Sequence, residues 1–166
     1  LSTDIIEREI LVHLSQHNRG PQPTKSQWIG IIQLIFFRLK TGTQWRELPM
    51  RQFLEGPYKW NSVYHHFNRW CKDGSWHRLW LHHLSDKKHL LDLSSAQLDG
   101  THTPCKRGGE ASAYQILYKR RIVIERSFAW LDSYKSLLIR YETSSRNWFQ
   151  LNLIGFTTWF ISKSLK

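Results

Sequence analysis

Trp60, Val63, Tyr64, Phe67 and Trp70 recur at i, i+3, i+4, i+7 and i+10, which places them on one face of a helix and is incompatible with a strand's period of two. A stripe of that width must be buried against other elements. The opposite face collects Asn61, His65, His66, Asn68, Arg69 and Lys72. The chain around residues 60–72 is therefore committed to a helix with one dry and one wet side.

The flanking segments repeat this grammar. Ser26 is placed to cap a helix carrying Trp28, Ile31, Ile32, Ile35, Phe36 and Leu39 on one side, with Gly42 placed to end it. The run 41–49, T-G-T-Q-W-R-E-L-P, reads as a turn that Pro49 closes. Asp73-Gly74 breaks the 60–72 helix, and Ser75 starts another through Trp76, Leu79, Trp80, His83 and Leu84. Three helices joined by short polar turns resemble a helix-turn-helix arrangement, though spacing alone does not separate it from a plain bundle. The adjacent pairs His65-His66 and His82-His83 diverge on a helix, so neither pair is a chelate by itself.

Charge narrows the partners. Twenty-four Lys and Arg against thirteen Asp and Glu give a net +11, the electrostatic footprint of a polyphosphate-binding protein, with nucleic acid the leading candidate. The excess lies in two stretches, 25–88 and 106–146, each able to face a phosphate backbone. Most of the aromatic side chains serve the core, since large rings contribute the bulk of burial. Cys71 and Cys105 lack metal-ligand spacing and build no disulfide framework, which fits a reducing, cytoplasmic setting. The sequence contains no apolar run approaching the roughly 20 residues of a membrane span, and the start has no signal-peptide pattern. A first residue of Leu leaves open that translation began elsewhere.

Farther along, residues 94–103 read as a short strand delivering Asp99, and Arg107-Gly108-Gly109-Glu110 as a tight turn. Apolar and basic residues alternate at helical spacing from about Ile116 to Tyr134, with Glu125 fenced by Tyr118, Arg121 and Arg126. The stretch from Asn147 to Leu165 is apolar enough that it must be mostly buried.

These segments together resemble bacterial insertion-sequence transposases of the DDE class, whose catalytic core is ribonuclease-H-like. T-G-T-Q-W-R-E-L-P and W-N-S-V-Y-H-H-F-N-R-W look like that family's amino-terminal helical region, and L-D-G-T-H looks like the strand bearing its first catalytic Asp. The family signature Y-(2)-R-(3)-E-(6)-K matches Tyr118, Arg121 and Glu125 in register, whereas its final Lys position is Asp132 and the nearest Lys is Lys135. The resemblance implies metal-dependent hydrolysis of a phosphodiester at transposon ends, followed by strand transfer into target DNA. Two Mg²⁺ (or Mn²⁺) ions about 3.5–4 Å apart serve such a reaction. It also implies that Asp99 and Glu125 are metal ligands, that Tyr118 and Arg121 orient a phosphate, and that Arg126 and Lys135 contact DNA. A homodimer on DNA is expected.

The resemblance has a gap. Only 25 residues separate Asp99 from Glu125, where the family places several strands, a helix and its second catalytic Asp. Those elements need roughly 45 residues. Glu110 is the acid that remains in the interval, and Asp132 lies seven residues past Glu125, about 10 Å along a helix and too far to share an ion. Either the protein is an internally shortened transposase or a central segment is missing from this sequence near 115–116. The expected fold is mainly α, with a helical DNA-binding region over 1–93 and part of an α/β ribonuclease-H-like domain over 94–166. Asn61, His65, Arg69 and Lys72 are the expected DNA-facing side chains of the first region. The competing expectation is a shortened, non-catalytic DNA-binding derivative that occupies transposon ends or inhibits full-length enzyme.

Overall fold

Thr24 enters its helix with an extended backbone, accepts a hydrogen bond from Gln27 N on its side chain at 3.3 Å, and donates its own N–H to Gln27 Oε1 at 2.8 Å. This reciprocal capping box starts the helix at Lys25, one residue before Ser26, so the cap expected at Ser26 belongs to Thr24. The computed structural model describes residues 1–16, 22–86, 132–138 and 142–164. Among these, every regular element is helical: α1 (Thr3–Glu9), a 3₁₀ turn (Leu11–His13), α2 (Lys25–Thr41), a second 3₁₀ turn (Trp45–Glu47), α3 (Met50–Phe53), α4 (Trp60–Lys72), α5 (Ser75–Asp86), α6 (Lys135–Leu138) and α7 (Ser145–Ser164). The expected strand at 94–103 lies outside the described residues, and of the expected ribonuclease-H-like part only 132–138 and 142–164 are described, where the regular elements are helices.

Gly42 ends α2 as expected, in the left-handed conformation at φ 73°, with its N–H on Arg38 O. Pro49 behaves differently from the expectation. It opens the single turn α3, where its missing N–H has no partner to lose, while its carbonyl accepts from Gln52 N at 3.0 Å. Gly74, at φ 76°, makes the break between α4 and α5.

One core joins these helices. Ile31, Ile32, Leu34, Ile35 and Leu39 of α2 meet Val63, Phe67 and Trp70 of α4, Trp76 and Leu79 of α5, and Leu151, Ile154 and Ile161 of α7. Ile6, Ile10 and Leu14 close it from the amino-terminal arm. Among the described residues, the helices before residue 87 and α7 thus meet inside a single hydrophobic interior, with α7 packed on α4 and α5. Trp28, Trp70 and Trp76 form a chain of rings, the first pair tilted with centroids 5.6 Å apart and the second edge-to-face at 5.4 Å, an arrangement that aromatic quadrupoles favour.

α7 is buried along much of its length, as its composition predicts, and it hides several polar groups. Thr157 and Thr158 donate their hydroxyls to the carbonyls one turn back, Leu153 O and Ile154 O, at 2.8 Å and 2.7 Å. That removes the cost of burying an unpaired hydroxyl. No described helix is long and apolar enough to cross a membrane.

Candidate nucleic-acid interface

The wet face of α4 resolves into two groups. Asn61, His65 and Lys72 are exposed, and half-buried Asn68 lies between them, so the four follow i, i+4, i+7 and i+11 along one line of the helix. His66 and Arg69 sit to the side of that line and are half-buried toward α2. The His66 ring packs at 4.8 Å from Trp28 and 5.9 Å from Trp70. It is a packing histidine.

Arg69 is the residue whose place differs most from a solvated phosphate contact. Its Nη2 donates to Ser15 O at 2.9 Å, and its guanidinium carbon lies 6.0 Å and 5.9 Å from the Trp28 and Trp70 ring centres. Desolvation pulls its pKa below the ordinary arginine value, with the nearby Asp73 carboxylate pulling the other way. The residue retains its charge at any ordinary pH.

At the amino end of α4, the exposed Arg46 stacks over Trp60 at 5.6 Å, next to exposed Lys59. A cation over an indole face is held in place while its outer edge remains available to an anion. Arg46, Lys59, Asn61, His65 and Lys72 therefore lie along one helix and its entry. They bring cations together with amide and imidazole hydrogen-bonding groups, the groups that in general bind phosphate oxygens and read base edges.

Lys135 occupies a second place. It is exposed at the start of α6, and its Cβ would lie 3.2 Å from a Cβ built on Gly42. The turn after α2 is thus the seat of α6, which explains a glycine there by space as well as by φ. Lys40, in the last turn of α2, is exposed too. Tyr118, Arg121 and Arg126 lie outside the described residues, as do Asp99 and Glu125. The described residues contain no group of three or more His, Cys, Asp or Glu arranged to hold a metal ion.

Residues 5–80 match the family described as "Putative transposase of IS4/5 family". Over that stretch the chain is similar to the IS4/5 transposase family. The matched stretch runs from α1 into α5 and contains Asn61, His65, Arg69 and Lys72. No curated protein and no solved structure matches the chain.

Two tertiary features carry no local signal in the sequence. Ser15 and Asp73 tie the amino-terminal arm to the turn between α4 and α5, through hydrogen bonds among Ser15, Arg69, Trp70, Asp73 and Ser75. Arg38 and Glu142 form a buried ion pair, with Trp45 Nε1 also donating to Glu142 at 2.8 Å. Neither had a local signal, because each joins residues far apart in the chain. The Asp73-Gly-Ser75 spacing was the nearest hint, since an Asp two residues before a helix start can accept from its first N–H.

Proposed function

We propose that this protein binds duplex DNA at insertion-sequence ends through the α4 face, and that it is a DDE-class transposase carrying Asp99 and Glu125 as metal ligands. The observation that carries the DNA-binding half is the coincidence of the IS4/5 family segment with an exposed Asn61, His65, Asn68 and Lys72 line in a chain of net charge +11. Lys72, Lys59 and Arg46 supply phosphate contacts, and Asn61, His65 and Asn68 are the groups that read base edges. Lys135, Tyr118, Arg121 and Arg126 form the DNA-contacting set of the catalytic half, and the working form is a homodimer in the cytoplasm.

The catalytic half rests on the signature around Glu125 and on L-D-G-T-H around Asp99. Mg²⁺, when bound, stabilises the attacking and leaving oxygens of an in-line displacement. Carboxylates at Asp99 and Glu125 suit a hard cation that takes oxygen ligands. The 25-residue interval between them favours a second reading, a shortened derivative that occupies ends without cutting them.

Binding is tested by titrating a fluorescent duplex of the flanking insertion-sequence end, and a random duplex, across salt concentrations. The affinity should fall steeply with salt and favour the end sequence. A constant insensitive to salt would overturn the proposal. Catalysis is tested on the same end duplex with Mg²⁺ or Mn²⁺. Strand cleavage and joining that vanish in Asp99→Ala and Glu125→Ala, with binding retained, support the transposase. Binding without cleavage by the 166-residue chain supports the shortened derivative.

A further inference from the structure

Ser15 is tied through all of its polar groups to the α4–α5 turn. Its carbonyl accepts from Arg69 Nη2 and from Trp70 Nε1, each at 2.9 Å. Its N–H donates to Ser75 Oγ at 3.2 Å, and its hydroxyl donates to Asp73 Oδ2. Asp73 Oδ1 in turn accepts from Ser75 N at 2.8 Å, which caps the first N–H of α5, and from Ser75 Oγ at 2.6 Å. Arg78 completes the cluster by donating to Asp73 O at 2.6 Å.

Arg69 belongs to this cluster in a way that covers part of its guanidinium. Its Nε and Nη1 are covered, with no hydrogen-bond partner among the described residues, and the guanidinium lies beside the Trp28 and Trp70 rings. For Arg69 to bond a phosphate, the contact to Ser15 O would have to break. Lys72, on the same helix, is exposed and has no such tie.

We propose that Arg69 is a positioning residue for DNA recognition: with Asp73 it clasps Ser15 and thereby holds α4 against the amino-terminal arm and α5, and it does not itself contact DNA. The proposal rests on the DNA-binding reading of α4 given above. It makes a prediction opposite in sign to simple electrostatics. Asp73→Asn removes a negative charge beside a DNA-facing helix, which by charge alone would tighten binding, yet the clasp loses an ionised acceptor and binding should weaken.

The test measures the association constant for the flanking insertion-sequence end duplex as a function of salt in wild type, Arg69→Ala, Lys72→Ala and Asp73→Asn, with far-UV circular dichroism confirming that each is folded. A residue that contacts a phosphate contributes about 0.9 to the slope of log K against log salt concentration. Lys72→Ala should lose about that much slope, whereas Arg69→Ala should keep the wild-type slope while its affinity falls roughly tenfold. Asp73→Asn should bind more weakly than wild type, and it carries the test if Arg69→Ala does not fold. A slope loss in Arg69→Ala equal to that of Lys72→Ala would overturn the proposal, as would tighter or unchanged binding by Asp73→Asn. Wild type that binds no DNA at all would instead overturn the DNA-binding reading beneath it, a result visible before any variant is made.

Discussion

Arg38 Nη2 and Glu142 Oε1 meet at 2.7 Å in the interior, with their side chains 4% and 7% exposed, and so fasten the segment after α6 to the last turn of α2. The Trp45 ring packs against the Arg38 guanidinium, its centre 4.4 Å from the guanidinium carbon, and Ser136 Oγ donates to Arg38 O at 2.6 Å. Burial pulls the Arg38 pKa below its ordinary value, while Glu142 and then Tyr64 act to raise it. Removing one partner leaves the other charge buried, so Glu142→Gln should destabilise the fold by about 3–5 kcal/mol. Replacing both, as Arg38→Met with Glu142→Leu, should cost less than Glu142→Gln alone. Urea unfolding midpoints of the two variants check the order.

Gly30 faces the single turn α3 at a distance that admits no side chain. A Cβ there would lie 2.3 Å from Phe53 O and 2.7 Å from Leu54 Cδ2. The oxygen belongs to backbone, so α3 itself would have to move. Gly30→Ala should lower stability by about 1–3 kcal/mol despite alanine's better helix propensity, which calorimetric melting measures directly.

His13, His82 and His83 gather where the amino-terminal arm meets α5. The His13 and His82 ring centres are 4.1 Å apart, and His83 donates from Nε2 to Glu9 O at 3.0 Å, since a carbonyl only accepts. Burial lowers the His13 pKa from 6.5, the charges of His82 and His83 lower it further, and Glu9 opposes them. The folded state therefore favours the neutral ring, and the unfolded state binds more protons as pH falls through 6.5. Stability should drop as pH is lowered through that region and level off below the folded pKa. Tm at about pH 5.5 should be lower than at about pH 7.5, and His13→Asn should shrink the difference.

Cys71 is buried beside the core, and burial is the largest of several causes pushing its thiol far above the ordinary value. The thiolate is the reactive form. Iodoacetamide at neutral pH should leave Cys71 unlabelled in native protein and label it fully in urea, as read from the mass of its tryptic peptide.

Much of the helical frame was legible because its signals are local. The stripe from Trp60 to Trp70, the stop at Gly42 and the break at Asp73-Gly74 depend on residues within a turn or two of each other, and the structure has each of them. Thr24 with Gln27 is legible too, as a three-residue spacing, and the cap expected at Ser26 lies two residues beyond it. The apolar stretch after Asn147 announced its burial by composition, though Phe149 remains 52% exposed, since periodicity could not say which side of an all-apolar helix would be covered.

Tertiary structure decided which polar residues face outward. Asn61, His65, Arg69 and Lys72 are equivalent as letters on the wet side of a helix, but α2 brings Trp28 beside Arg69, and the arm brings the Ser15 carbonyl within 2.9 Å of it. The buried Arg38 and Glu142 pair likewise exists through packing that unites α2 with the segment leading into α7. Sequence alone determined the charge, the helical periodicity and the family resemblance, because each is carried by neighbouring residues or by their sum. Which cations remain free for a phosphate depends on what distant parts of the chain place next to them, since a carbonyl or a ring beside a guanidinium replaces the water that a ligand would otherwise displace.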